Sequence, residues 1–178
     1  MKEVQGILNG FSSTSYAKIK PVFSPKEDNF EVVVDFTPAK PLKQKGGVFG
    51  CIGKAHGFYP FFIENGGLTS YLSTNGSSWD LASGVLLSSP MEAEVHYRVK
   101  CAWDGKSFAY YIWQGKWCQL CTIVSSTPIF SGNELQFGLS RSGYDPFMGS
   151  IDLTKCYISI GGKLWWEGVK GAYYRANR

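Results

Sequence analysis

Side chains of three kinds in this sequence have types and spacings that chemistry uses. Carboxylates come in pairs: Glu31 with Asp35, and Glu92 with Glu94. Two carboxylates on one strand face can cleave a glycosidic bond with retention when they sit about 5 to 5.5 Å apart. Glu31 and Asp35 are four positions apart, roughly 13 Å along a strand rising about 3.3 Å per residue, which is too far. Glu92 and Glu94 are close enough, but no third carboxylate joins them, and His96 and Arg98 take the next alternate positions. Cysteines form the motif Cys118-Gln119-Leu120-Cys121. On a regular strand, positions three apart face opposite ways, so the two thiols cannot share one ion without a turn between them. Ser88 and Ser140 lie in no nucleophile-elbow motif. The glycines sit at hairpin turns and not ahead of a helix, where a phosphate would be cradled. The loop carboxylates Asp80, Asp104 and Asp145 are too scattered to define a calcium site. These residues lead to the expectation of a non-enzymatic protein with no cofactor and no metal.

The remaining chemistry is aromatic. Sugars are held by stacking their C–H faces on Trp or Tyr while polar side chains take the hydroxyls. Tyr111 and Trp113 are the principal candidates, with His96, Arg98 and Lys100 as their polar neighbours. Trp79, in the loop Asn-Gly-Ser-Ser-Trp-Asp, and Tyr144, between Gly143 and Asp145, add two further rings. The expected carbohydrate-binding set is therefore Tyr111, Trp113, His96, Arg98, Lys100, Trp79 and Tyr144. The alternative is that chain termini or another subunit cover these rings, and that Trp79 is a structural part of its loop.

The element that must position the main patch is a hairpin. From Met91 to Trp103 the residues alternate, with Met91, Ala93, Val95, Tyr97, Val99, Cys101 and Trp103 on one face and Glu92, Glu94, His96, Arg98 and Lys100 on the other. This period of two marks a strand with one buried side. Asp104-Gly105 then supplies the positive φ angles of a two-residue turn. That turn predicts Cys101 against Phe108, Lys100 against Ala109, Arg98 against Tyr111 and His96 against Trp113. Phe30 to Phe36 alternates similarly, with Phe30, Val32, Val34 and Phe36 inward and Glu31 and Asp35 outward. Further strands are predicted over 4–11, 16–20, 48–53, 58–64, 68–74, 81–87, 117–124, 135–140, 149–160 and 163–166, separated by turn residues. No segment reads as a helix.

Length and composition agree with this count. The chain has 178 residues, 44% hydrophobic and 16% aromatic, with 21 glycines. That suits many short strands joined by tight turns in one domain over 1–168, followed by a basic aromatic tail over 169–178. A net charge of +4 spread along the chain gives no concentrated patch for nucleic acid. No apolar run reaches the roughly 18 residues that would cross a bilayer, so membrane insertion is not expected. The start, MKEVQGILNG, lacks the apolar core of a secretory signal. Five irregularly placed cysteines are not a disulfide framework.

The closing run FMGSIDLTKCYISIGGKLWWEG, with LTSYLSTNGSSWDLASG and MEAEVHYRVKCAWDGKSFAYYIW before it, resembles concanavalin A-like (laminin G-like) jelly rolls found in phage tail and other virion proteins. The resemblance implies an all-β, two-sheet antiparallel β-sandwich. It also implies a non-catalytic module of a virion surface, assembled in the host cytoplasm, that adheres to a glycan or cell-surface polysaccharide. Other virion proteins and a second copy of the chain are further expected partners. The rival expectation is a structural decoration that binds only its own particle through the basic tail. A glycoside hydrolase is the third, since the same fold hosts several activities.

Overall fold

The computed structural model describes residues 2–3, 6–19, 29–41, 43–52, 56–88, 90–129, 134–140, 144–168 and 173–175. In chain order the strands are β1 (Lys2–Glu3), β2 (Ile7–Leu8), β3 (Ala17–Ile19), β4 (Phe30–Pro38), β5 (Gly46–Ile52), β6 (Phe58–Glu64), β7 (Gly67–Leu72) and β8 (Ala82–Leu86). They continue with β9 (Tyr97–Trp103), β10 (Ser107–Trp113), β11 (Trp117–Val124), β12 (Glu134–Phe137), β13 (Gly149–Asp152), β14 (Tyr157–Ile160), β15 (Lys163–Glu167) and β16 (Tyr173–Arg175). Among the described residues the one helical piece is a 3-10 turn at Leu153–Lys155.

These strands make two antiparallel sheets, and the protein is the β-sandwich that the alternation predicts. The first sheet runs β1-β16-β3-β12-β5-β6-β7-β8. The second runs β11-β10-β9-β4-β13-β2, and β14 pairs with the other half of β4 and carries β15. Between them lies one apolar layer. Phe30, Val32, Val34 and Phe36 of β4, Val99, Cys101 and Trp103 of β9, and Phe108 and Tyr110 of β10 face Phe49, Phe58, Phe61, Ile63, Leu68, Leu72, Leu135 and Phe137 of the first sheet. Burying one such side chain contributes roughly 1.5–3 kcal/mol. Rings from opposite sheets meet edge to face, Phe30 with Phe58 at 5.5 Å and Phe61 with Tyr110 at 6.1 Å between centroids. The Tyr110 hydroxyl also meets Ser70 Oγ at 2.6 Å, a buried hydrogen bond that ties the two sheets together.

Several local expectations are corrected. Strand β9 begins at Tyr97, and residues 91–96 form a turn with Glu94 at φ 65°. The Met91 and Glu94 N–H groups donate to the carbonyls of Gly66 and Pro38, at 2.8 and 2.7 Å, and so leave the sheet ladder. The β9–β10 turn is longer than two residues. Trp103 pairs with Phe108, so Lys100 pairs with Tyr111 and the register is displaced by two from the expected one. The Asp104 carboxylate causes this by accepting from the N–H groups of Lys106 and Ser107, at 2.8 Å each, with Gly105 at φ 93° between them. A displacement of two keeps every residue on its expected face. Asp35 does face outward, but it is 1% exposed. Cys118 and Cys121 share a face after all. A bulge at Leu120 aligns Cys118 with Ile112 and Cys121 with Tyr110, both on the inner side. In the predicted tail, Tyr173–Arg175 pair with Ala17–Ile19 and extend the first sheet, and the rest of 169–178 lies outside the described residues.

Candidate functional site

The outer face of the second sheet brings together five of the predicted site residues and one that the sequence reading missed. Lys100 projects outward from β9 and its ammonium lies 4.7 Å from the Tyr111 ring centre and 4.8 Å from that of Trp117. It also reaches Glu31 at 3.5 Å, and its side chain is only 13% exposed. A lysine so held spends its charge inside the protein. Trp113 and Trp117 stand opposite each other across the short β10–β11 turn, with ring centres 5.2 Å apart at 72°. Trp113 is 44% exposed. The Arg98 guanidinium lies 5.8 Å from the Trp117 ring centre. His96 is not on the strand. Its Nε2 meets Asp35 Oδ1 at 2.7 Å, and the imidazole is half exposed. Trp117 was legible in principle, because Trp113-Gln-Gly-Lys-Trp117 puts both indoles at one end of a hairpin.

The outer face of the first sheet carries a cleft of about 80 Å³ lined by Lys45, Tyr59, Phe62, Tyr71, Trp79, Ser140 and Asp145. Its position follows from strand parity. Ser70 points inward to Tyr110, so its neighbour Tyr71 points out, and a bulge in β6 turns Tyr59 and Phe62 to the same side. Trp79 forms one wall, edge to face with Tyr59 and Tyr71 at 5.4 Å each and with His56 at 4.8 Å. Its loop is built by side chains: Asn75 Oδ1 accepts from the N–H groups of Ser77 and Ser78, and Asp80 Oδ1 from that of Thr74. Desolvation is the largest single influence on Asp80 and opposes its ionisation, but the hydrogen bonds from Thr74, its own backbone and Ser73 together outweigh it and hold the carboxyl below its ordinary range.

Polar groups ring this cleft. The Tyr71 hydroxyl donates to Glu64 Oε2 at 2.5 Å, and Lys45 reaches Glu64 Oε1 at 3.9 Å. Burial, reinforced by the Glu64 hydrogen bond and by the charges of Glu64 and Asp145, pushes the Tyr71 phenol well above its ordinary range. It therefore stays a neutral donor. The Ser140 hydroxyl lies 2.9 Å from the Tyr144 carbonyl and 3.2 Å from Asp145 Oδ2. Tyr144 itself is 63% exposed beside these groups. Of the predicted residues, then, Trp79 and Tyr144 belong to this side of the molecule and the other five to the opposite side. Lys45, Tyr59, Phe62, Glu64 and Tyr71 went unnoticed because a shared cleft depends on bulges and loop paths that alternation does not carry.

No family profile matches the sequence, and no curated protein matches it. Solved structures do share its shape. The heptameric SAP-like pentraxin from Limulus polyphemus superposes with a TM-score of 0.62 at 13% identity, over 99% of this chain and 91% of that one. The enzymatically active domain of tailspike protein 2 from Bacteriophage CBA120 gives 0.54 at 14% identity, over 78% of this chain and 23% of that one. At such identities the likeness is one of fold. The chain is a jelly-roll β-sandwich, the class to which these neighbours belong.

Proposed function

We propose that this protein is a non-catalytic carbohydrate-recognition module and that the sugar seats in the cleft beside Trp79. The observation that carries the reading is the composition of that cleft. The partly exposed rings of Tyr71 and Trp79, backed by the buried rings of Tyr59 and Phe62, offer apolar surface for a sugar's C–H face, and Lys45, Ser140 and Asp145 offer donors and acceptors for its hydroxyls. The best-positioned ionisable hydroxyl, Tyr71, is a donor that burial keeps neutral, which supports binding over proton abstraction. We place the module on a phage particle, adhering to a polysaccharide of a host or environmental surface. The shared fold with a phage tailspike domain supports this, and that domain's own activity makes turnover the control to run.

The test is a glycan array with the whole chain, its Trp79→Ala and Glu64→Gln variants, and a parallel assay for released sugar. Trp79→Ala is expected to weaken the retained glycan at least about tenfold, equivalent to about 1.4 kcal/mol, with no sugar released by any variant. Binding of no glycan, or binding untouched by both substitutions, removes the cleft as the site. Release of sugar that disappears in Glu64→Gln makes the protein an enzyme.

A further inference from the structure

We propose that the outer face of the second sheet is a separate site for an acidic polysaccharide. In it Arg98 takes a carboxylate or sulfate group and Trp113 stacks against the sugar ring that bears it. Among the described residues, Lys100 and His96 have carboxylate partners on this face and Arg98 between them has none. Lys100 meets Glu31 at 3.5 Å, and His96 meets the buried Asp35 at 2.7 Å. Arg98 stands opposite Asp35 in the ladder, yet the Asp35 carboxylate bonds to His96 instead. Among the described residues the guanidinium has no carboxylate and no hydrogen-bond acceptor, and its Nε is buried without a partner. The Nε is shielded from solvent, so an arriving anion meets the terminal amino groups of the guanidinium, which carry no protein partner.

The guanidinium carbon lies 5.8 Å from the Trp117 ring centre, a cation–π contact that favours this position beside the indole. A guanidinium with free terminal N–H groups matches the two oxygens of a carboxylate or sulfate better than any neutral hydroxyl. Beside it, Trp113 occupies the register position after Ile112, which pairs with Val99, so the ladder's continuation sets it alongside Arg98. Trp113 leans on Trp117 at 5.2 Å and keeps 44% of its surface open. An open indole next to an unpaired guanidinium is suited to a ring that carries an anion. The site is independent of the Trp79 cleft, because Tyr111 and Tyr71 project from opposite sides of the sandwich.

The experiment titrates the whole chain with three polymers: polygalacturonate, its methyl ester and dextran sulfate. Polygalacturonate or dextran sulfate is expected to bind and the methyl ester not to. Arg98→Gln and Trp113→Ala should each weaken the anionic polymer at least about tenfold, and added salt should weaken it further. Trp79→Ala should leave it unchanged. Arg98→Lys keeps the charge but not the fork, and is expected to fall between wild type and Arg98→Gln. Thermal melting accompanies each variant, and if Arg98→Gln unfolds the chain, Trp113→Ala decides alone. The proposal is overturned if neither anionic polymer binds, if the methyl ester binds as well as the acid, or if binding survives Arg98→Gln and Trp113→Ala. Loss of acidic-polymer binding in Trp79→Ala would likewise overturn it, and would assign that ligand to the cleft.

Discussion

Asp35 shows how one residue can be read correctly in direction and wrongly in environment. Alternation along β4 places it on the outer face, where a carboxylate is expected to meet water. Instead the side chain is 2% exposed, and one oxygen, Oδ2, has no hydrogen-bond partner. What keeps it there is the 2.7 Å bond from His96, a residue 61 positions away in a loop that the sequence pattern assigned to a strand. Alternation reports the side a residue takes but not what crosses over it. His96→Ala is expected to destabilise the fold by about 1–3 kcal/mol, because it strands a buried carboxylate. Adding Asp35→Asn should recover part of that loss. Urea denaturation of the two variants checks it, and equal midpoints for wild type and His96→Ala would show that the pair holds nothing.

At the scale of elements, the hairpin of β9 and β10 explains why the outer patch was largely legible while its contacts were not. The residues that face outward follow from a period of two, and a register displaced by two leaves that period intact. Hence Tyr111, Arg98 and Lys100 were placed on the right face with the wrong neighbours. The same logic failed at Cys118 and Cys121, since one extra residue at a bulge reverses parity for all that follows. What sets the β9–β10 register is the Asp104 carboxylate, held below its ordinary range by the N–H groups of Lys106 and Ser107. A carboxyl lowered on folding contributes stability that is fully present above the unfolded value of about 3.9 and is lost as the pH falls through the lower folded value. Asp104→Ala should therefore lower the urea midpoint at pH 7, and the gap from wild type should close as the pH falls below the ordinary carboxylate range. A gap that is the same at pH 7 and in acid would show that the charge has no part in holding the turn.

For the molecule as a whole, two aromatic surfaces lie back to back with one apolar layer between them, and β10 belongs to both sides of the argument. Tyr111 on its outer side meets Lys100, and Tyr110 on its inner side crosses the core to Ser70. Burial raises the Tyr110 phenol well above its ordinary range, with Cys101 beside it adding to the effect. A raised acid contributes stability that is present below the unfolded value of about 10 and is lost as the pH rises beyond it, so the sandwich should loosen in alkali. The Tyr110–Ser70 bond also predicts how the sheets are coupled. Tyr110→Phe leaves the fully buried Ser70 hydroxyl without its partner and should cost about 1–2 kcal/mol. Ser70→Ala should cost somewhat less, because the phenol keeps the Cys101 thiol as a hydrogen-bond partner. In the double variant no polar atom of the pair is left to strand, so its loss should be clearly smaller than the sum of the two. Equilibrium unfolding of the four proteins measures this cycle. Strict additivity would mean that the sheets are held by apolar packing alone, with the hydroxyl bridge contributing nothing to their coupling.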